Sequence, residues 1–175
     1  PAFKRWWTRI VPEAIERSTY VLLSSLILAL LFWQWQPLRA IVWSVQGEPW
    51  AGLLTALFWL GWLIALASTF MINHFDLFGL RQVWFRAKNR PYAPVPFVKV
   101  LLYRFVRHPL MLGFIIAFWS APVMTAGHFI FSLATTAYIF VGVFFEERDL
   151  RRAHGAAYEQ YMREAGMILP FPRSR

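Results

Sequence analysis

One short stretch combines charged and titratable side chains with the start of an apolar segment. Residues 103–113 read YRFVRHPLMLG, so Arg107 and His108 come directly before a proline. Arginine and histidine donate charge-assisted hydrogen bonds to anionic groups, and proline favours the first turn of a helix. An arginine before a membrane helix is also typical of a plain topology anchor, a role that would suffice for Arg107 alone. The histidine beside it indicates a binding site at the start of a helix.

A second polar stretch follows the same apolar segment. Glu146 and Glu147 are adjacent, and a carboxylate can accept hydrogen bonds from hydroxyl or ammonium groups. Such a pair is also typical of a solvated helix end. Farther on, Tyr158 and Tyr161 are three residues apart, on one face of a helix that Gly155 would interrupt. The pattern predicts a C-terminal amphipathic helix lying against the membrane-facing core.

A third group of polar residues lies within the aromatic-rich stretch 73–84, NHFDLFGLRQVW. Its members are close together rather than spread along one solvated face: Asn73, His74, Asp76, Arg81 and Gln82. They could form a reactive site or an interfacial helix whose hydrogen bonds are satisfied. Three prolines between residues 91 and 96 then predict an extended link. From residue 97 the pattern is helical again, which predicts Arg104 and His108 on one helical face.

Long uncharged segments must position these groups. The chain has 175 residues, of which 58% are hydrophobic and 15% charged, and a crossing of the bilayer needs roughly 17–25 apolar residues. The sequence predicts an all-α integral membrane protein with about four transmembrane helices. These lie near residues 19–36, 50–73, 109–126 and 127–145, the last two forming a hairpin that turns between Pro122 and Gly127. Together with cytoplasmic segments 74–108 and 146–175 they are expected to form a single domain, 1–175.

The basic residues predict the orientation. They concentrate in residues 1–18, 74–108 and the tail after 146, whereas the intervening turns hold almost none. The positive-inside bias therefore predicts that both termini are cytoplasmic, in a bacterial inner membrane. The net charge of +9 fits this topology and contact with anionic membrane lipid rather than nucleic acid. Because the chain begins with Pro1 rather than Met, we expect it to be either processed or preceded by further residues, which leaves open an upstream helix.

Several kinds of site are excluded by the motifs. The chain has no cysteine, which removes thiolate nucleophiles, iron–sulfur clusters and cysteine zinc sites. It contains no dinucleotide-binding, P-loop or HExxH motif, and its four histidines lack metal-ligand spacing. No metal is expected.

Taken in order, the motifs resemble a known superfamily. YRFVRHPLMLG at 103–113, EERDL at 146–150, GAAYEQY at 155–161 and ILP at 168–170 are similar to the RHPxYxG, EE, GxxYxxY and IP elements of isoprenylcysteine carboxyl methyltransferases. HFDLFGLRQVW at 74–84 resembles bacterial methanethiol S-methyltransferases within that superfamily. Met111 departs from the pattern, because the family has tyrosine there.

The resemblance implies S-adenosylmethionine as methyl donor and a small thiol, methanethiol, as acceptor, giving dimethyl sulfide. It implies that residues from the link and from both motifs line the cofactor, and a carboxylate ligand also suits Arg104 beside His108. The expected cofactor-binding residues are Val95, Phe97, Val98, Tyr103, Arg104, His108, Pro109, Leu110, Met111 and Glu146.

The thiol must lose its proton before it attacks, and the site around it must exclude water. We expect His74 or Asp76 to receive that proton while Arg81 organises the site. Two alternatives stay open at this point: a methyltransferase acting on a lipid or isoprenylcysteine carboxylate, and a non-enzymatic membrane protein like nurim.

Overall fold

The computed structural model describes residues 7, 10–72, 79–91 and 101–170. Within them six helices and two strands follow the chain in the order α1, β1, α2, α3, α4, β2, α5, α6. The helices are α1 (Glu13–Gln34), α2 (Trp50–Ile72), α3 (Leu80–Ala87), α4 (Pro109–Trp119), α5 (Ala126–His154) and α6 (Ala156–Glu164), with a 3₁₀ helix at Leu101–Arg104. Strands β1 (Ile41–Ser44) and β2 (Val123–Thr125) form a small antiparallel sheet. The predicted all-α class is confirmed.

Three of the described helices are long and apolar enough to cross a membrane. They contain the segments Ile15–Gln34, Trp50–Met71 and Ala126–His154, as expected for an integral membrane protein. Helix α4 is apolar but has only 11 residues. At 1.5 Å per residue it is roughly 16 Å long, about half the thickness of a hydrocarbon core.

The segment predicted as a span over 109–126 is therefore shorter than expected. Pro122 cannot continue a helix, because it lacks a backbone donor and restricts the residue before it. The chain there pairs with β1 instead: the Pro122 carbonyl accepts from the Val45 amide at 2.8 Å, and β2 continues the pairing.

The chain divides into two compact units. The first comprises Pro1–Gln36 and Thr69–Val98, the second Pro37–Ser68 and Lys99–Arg175. In the first, α1 contacts α3. Gly79, before α3, has a φ of +75°, and a Cβ there would lie 2.8 Å from Ser18 Oγ. Only glycine suits both the left-handed backbone and the close approach. The predicted single-domain organisation stays a prediction.

In the second unit, α2 and α4 touch through small residues. A Cβ on Gly61 would lie 2.7 Å from the Gly113 carbonyl, and a Cβ on Gly113 equally close to the Gly61 carbonyl. Ala65 and Ala117, one turn farther along each helix, complete the contact. Small residues let two helix backbones approach in this way when lipid supplies no hydrophobic drive.

Polar side chains join α4 to α5. Ser132, fully buried, donates to the Phe118 carbonyl at 2.8 Å, and the Trp119 indole donates to Thr136 Oγ1 at 2.9 Å. The two helices form the predicted hairpin, with β2 in its turn. Helix α5 then continues past the predicted end at 145 to His154, which places the glutamate pair on the same helix as the span.

Candidate functional site

The stretch before α4 is irregular rather than helical, and it pairs with a distant part of the chain. Residues 105–108, called the RHP segment below, pair with residues 165–168, the C-terminal segment. The Arg107 amide donates to the Gly166 carbonyl at 2.8 Å, the His108 amide to Met167 at 3.1 Å, and the Gly166 amide to Phe105 at 3.1 Å. Two parts of the chain that are distant in sequence therefore have a fixed register.

This pairing corrects the prediction that Arg104 and His108 share a helical face. Arg104 ends the 3₁₀ helix and is exposed, whereas His108 is buried. The physical reason is that Pro109 disfavours a helical backbone at the residue before it, and the C-terminal segment offers carbonyls to the freed amides.

Arg107 is the most highly connected side chain of the RHP segment. Its residue is 5% exposed and Glu147 is 6% exposed. The guanidinium donates from Nε at 2.8 Å and lies with Nη2 at 2.7 Å from the same Glu147 Oε1. Its Nη1 donates to the carbonyls of Met162 and Ala165, at 3.1 and 2.6 Å. Arg107 thus neutralises a buried carboxylate and satisfies carbonyls at the C-terminal end of α6.

His108 lies between the two glutamates. Its Nε2 is 3.3 Å from Glu147 Oε1, and its Nδ1 is 3.5 Å from Glu146 Oε2. A neutral imidazole can donate to one of these oxygens, whereas an imidazolium donates to both. The ring orientation is therefore fixed from two sides by groups on α5.

Tyrosines of α6 and of the 3₁₀ helix surround the cluster. The Tyr161 hydroxyl donates to the Tyr103 carbonyl at 2.6 Å, which ties the two elements together. Burial, and then the nearby Glu146 carboxylate, raise the pKa of Tyr103 to about 12. Burial, followed by Glu147, raises the pKa of Tyr158 to about 12, and burial also raises that of Tyr161. These phenols keep their protons at neutral pH, so they can donate hydrogen bonds but do not act as bases.

The two glutamate carboxylates differ in their exposure and in the number of contacts that they make. Glu147 is committed to Arg107 and His108, while the Glu146 side chain is 52% exposed and has only the long contact to His108 among the described ion pairs. Glu146 therefore retains acceptor capacity toward a ligand, and Glu147 supports the ring.

Arg107 and Glu147 form a buried ion pair that sequence reasoning missed. Burial in the structure identifies Glu147: Ile139, Val143 and Glu147 are the buried residues of the last turns of α5 and recur every four positions. Because residues 137–145 are apolar at every position, the sequence does not show which of the two glutamates is buried and needs a cationic partner.

The structure brings together Tyr103, His108 and Glu146, three of the residues expected at a cofactor site. Pro109 opens α4 and is buried, with Leu110 in the same turn. Met111 packs against the apolar cluster of Ile139, Val143 and Ile168. That contact suits an apolar side chain at position 111.

For six other expected site residues the structure gives no position relative to this cluster. Arg81 belongs to the first unit, where its guanidinium lies over the Phe85 ring, 5.2 Å from the centroid. His74, Asp76, Val95, Phe97 and Val98 lie outside the described residues.

A pocket of about 400 Å³ adjoins the cluster on α5. Glu147 forms part of its wall, and the remaining lining residues are Phe140, Phe144, Arg148, Arg151 and Met167.

The sequence is similar over nearly its whole length to bacterial methanethiol S-methyltransferases. The chain is 57% identical over 170 residues to a methanethiol S-methyltransferase of Mycobacterium tuberculosis, covering 97% of this chain and 70% of the relative. It is also 57% identical over 177 residues to methanethiol S-methyltransferase 2 of Bradyrhizobium diazoefficiens, covering 100% of this chain and 68% of that relative. A more distant relative is nurim of Sus scrofa, 26% identical over 156 residues, with 85% of this chain and 59% of the relative covered. No protein-family model matches the sequence, and no solved structure is significantly similar to it.

Proposed function

The chain belongs to the methanethiol S-methyltransferase family, within the isoprenylcysteine carboxyl methyltransferase-like superfamily, and we propose that it methylates methanethiol to dimethyl sulfide with S-adenosylmethionine as donor. The observation that carries this proposal is 57% identity over nearly the whole chain to relatives of that name. The enzyme is an integral membrane protein, and we propose that the RHP segment and both termini face the cytoplasm, where a water-soluble donor is available.

The donor set beside the RHP segment suits this cofactor. S-adenosylmethionine, when bound, supplies a methyl group made electrophilic by its sulfonium. Glu146 can accept hydrogen bonds from an ammonium or from ribose hydroxyls, because its carboxylate is half exposed and only loosely engaged. Arg104 is the exposed cation nearby in sequence, suited to a carboxylate, and the aromatic face of Tyr103 suits a sulfonium. We assign Pro109, Leu110 and Met111 to the wall of this site, together with Val95, Phe97 and Val98 by resemblance.

The buried residues of the cluster hold the ligand-facing ones in position. Glu147 is itself fixed by three contacts with Arg107 and His108, and it orients the imidazole with Nδ1 toward Glu146. Preorganisation of this kind matters because methyl transfer requires in-line alignment of the reacting atoms at about 3 Å. The same burial keeps water away from one side of the site.

A thiol attacks far better as a thiolate, so its proton needs an acceptor. We propose that His74 or Asp76 accepts it and that Arg81 organises that region, on the basis of their density within an apolar stretch. The test is turnover of Asp76→Asn and His74→Ala, alongside their affinity for the cofactor. Wild-type turnover in both variants would contradict the assignment.

The function is tested by supplying membranes that contain the protein with methanethiol and with S-adenosylmethionine carrying a labelled methyl group. We expect labelled dimethyl sulfide in the headspace by gas chromatography. The matched control is membranes with His108→Ala, and His128→Ala serves as a histidine variant on the opposite turn that should remain active. Label in the lipid or protein fraction instead of the headspace would favour a lipid or isoprenylcysteine carboxylate as acceptor, and label in no fraction would contradict the methyltransferase proposal.

A further inference from the structure

The pocket on α5 has two chemically different ends. Phe140, Phe144 and Met167 form an apolar wall, and Arg148 and Arg151 stand at the other end. A volume of about 400 Å³ is within the range of small-ligand cavities.

The polar end carries positive charge that carboxylates compensate only in part. Glu147 also lines the pocket, but its carboxylate is already paired with Arg107. Arg148 Nε lies 3.7 Å from Asp149 Oδ1, a long and half-exposed contact. Arg151 donates from Nε to Met162 Sδ at 3.1 Å and forms no ion pair with any carboxylate in the part of the chain that the structure describes.

The position of the two ends along α5 matches the edge of a bilayer. The helix is free of acidic and basic residues other than His128 from Ala126 to Phe145, and charged residues begin at Glu146. Phe144 is 66% exposed, as a side chain that faces lipid would be. The aromatic wall therefore belongs to the hydrocarbon region, and the two arginines to the level of the headgroups.

We propose that this pocket binds one anionic phospholipid of the leaflet at the C-terminal end of α5. Its phosphate lies between Arg148 and Arg151, and the first part of an acyl chain lies along Phe140 and Phe144. A guanidinium fork matches a phosphate in geometry as well as in charge. The proposal does not rest on the methyltransferase function, because neither arginine is among the residues assigned to the methyl donor.

The test compares two double variants of equal charge change in the full-length protein. Arg148→Gln with Arg151→Gln removes the pocket cations. Arg152→Gln with Arg163→Gln removes two exposed cations of α5 and α6 that do not line the pocket. Each protein is delipidated in detergent and offered phosphatidylglycerol, phosphatidylcholine or inorganic phosphate, and lipid retention is measured by native mass spectrometry. If the pocket double variant does not fold, Arg151→Gln against Arg152→Gln gives the same comparison.

We expect wild-type protein and the surface variant to retain one phosphatidylglycerol, and the pocket variant to bind it at least about tenfold more weakly, near 1.4 kcal/mol. Phosphatidylglycerol should also raise the unfolding temperature more than phosphatidylcholine or inorganic phosphate does. Equal retention by all three proteins would overturn the proposal, and so would equal stabilisation by inorganic phosphate, which would reduce the site to an anion subsite. No methyl donor or thiol is present, so the result does not depend on the methyltransferase activity.

Discussion

Helix α4 is held at two places by opposite physical means. At its start, Arg107 and His108 bind the carboxylate of Glu147 through directional contacts of 2.7 to 3.3 Å. One turn in, Gly113 meets Gly61 of α2 with no side chain between the backbones.

The difference indicates which contact serves the fold and which serves the site. Close packing of small residues gains dispersion energy without burying any charge. A buried ion pair must recover the desolvation of both ions, so it is weak evidence for stability alone. We infer that the ionic contact serves mainly to orient His108, and that the glycine contact serves mainly to hold the helices together.

The largest loss of stability should come from removing one partner of the Arg107–Glu147 ion pair. Arg107→Ala leaves Glu147 buried without its cation, which should destabilise the protein by about 3–5 kcal/mol. Arg107→Met combined with Glu147→Leu removes both charges and should recover much of that loss while activity stays low. Thermal unfolding in detergent, read beside methyl transfer, checks both. A double variant as unstable as Arg107→Ala would show that the pair acts through packing rather than charge.

The glycine contact should break with a single methyl group. Gly113→Ala puts a Cβ 2.6 Å from the Ala65 nitrogen, so the helices must separate, at a cost of about 1–3 kcal/mol. Gly142→Ala is the matched control, because nothing lies within 4 Å of its Cβ position. Unfolding temperatures should fall for the first and hold or rise for the second, with normal activity per folded molecule in both. Equal unfolding temperatures would contradict the close approach.

A smaller effect is expected at the hydrogen bond between α6 and the 3₁₀ helix. Tyr161→Phe removes the 2.6 Å bond to the Tyr103 carbonyl and should cost about 1 kcal/mol. Tyr138→Phe, at a site 73% exposed, is the control. Since the bond positions Tyr103, the KM for the methyl donor should rise in the first variant alone. An unchanged KM would indicate that Tyr103 does not contribute to binding of the methyl donor.

The smallest expected effect is on how the unfolding temperature changes at alkaline pH. Because the pKa of Tyr103 and that of Tyr158 are both raised to about 12, the folded protein holds those protons more tightly than the unfolded chain, whose tyrosines titrate near 10. Their stabilising contribution is complete below pH 10 and is lost as pH rises through 12. Tyr103→Phe should flatten the decline in unfolding temperature over that interval and leave it unchanged near neutrality. A decline as steep as that of the wild type would argue against the burial of this phenol.

The sequence predicted the parts of this arrangement that depend on composition and order. Uncharged runs identified α1, α2 and α5, and the motif order indicated that His108 and Glu146 would meet. The parts that were missed depend on tertiary pairing: the non-helical RHP segment, the β1–β2 sheet and the shortened α4. Each involves backbone groups that find partners far away in sequence, at Gly166 or in residues 41–45. Local propensity carries only part of that information, because Pro109 and Pro122 disfavour a helix but do not specify the distant partner.

The two adjacent glutamates also differ in a way that depends on tertiary structure. Adjacent carboxylates are indistinguishable in composition, yet Glu147 is buried and Glu146 is half exposed. Nothing in the sequence separates them: Ile139 and Val143 lie seven and three residues before Glu146 and eight and four before Glu147, so both glutamates continue that helical face.

The central claim is that His108 and Glu146, which lie on separate elements, form one methyl-donor site. Calorimetric titration of S-adenosylhomocysteine into purified wild-type protein, His108→Ala and Glu146→Ala measures it directly, with Glu159→Ala as an exposed carboxylate control on α6. We predict that each site variant binds at least about tenfold more weakly, near 1.4 kcal/mol, and that the control binds like wild type. Wild-type affinity in both folded site variants would contradict the account.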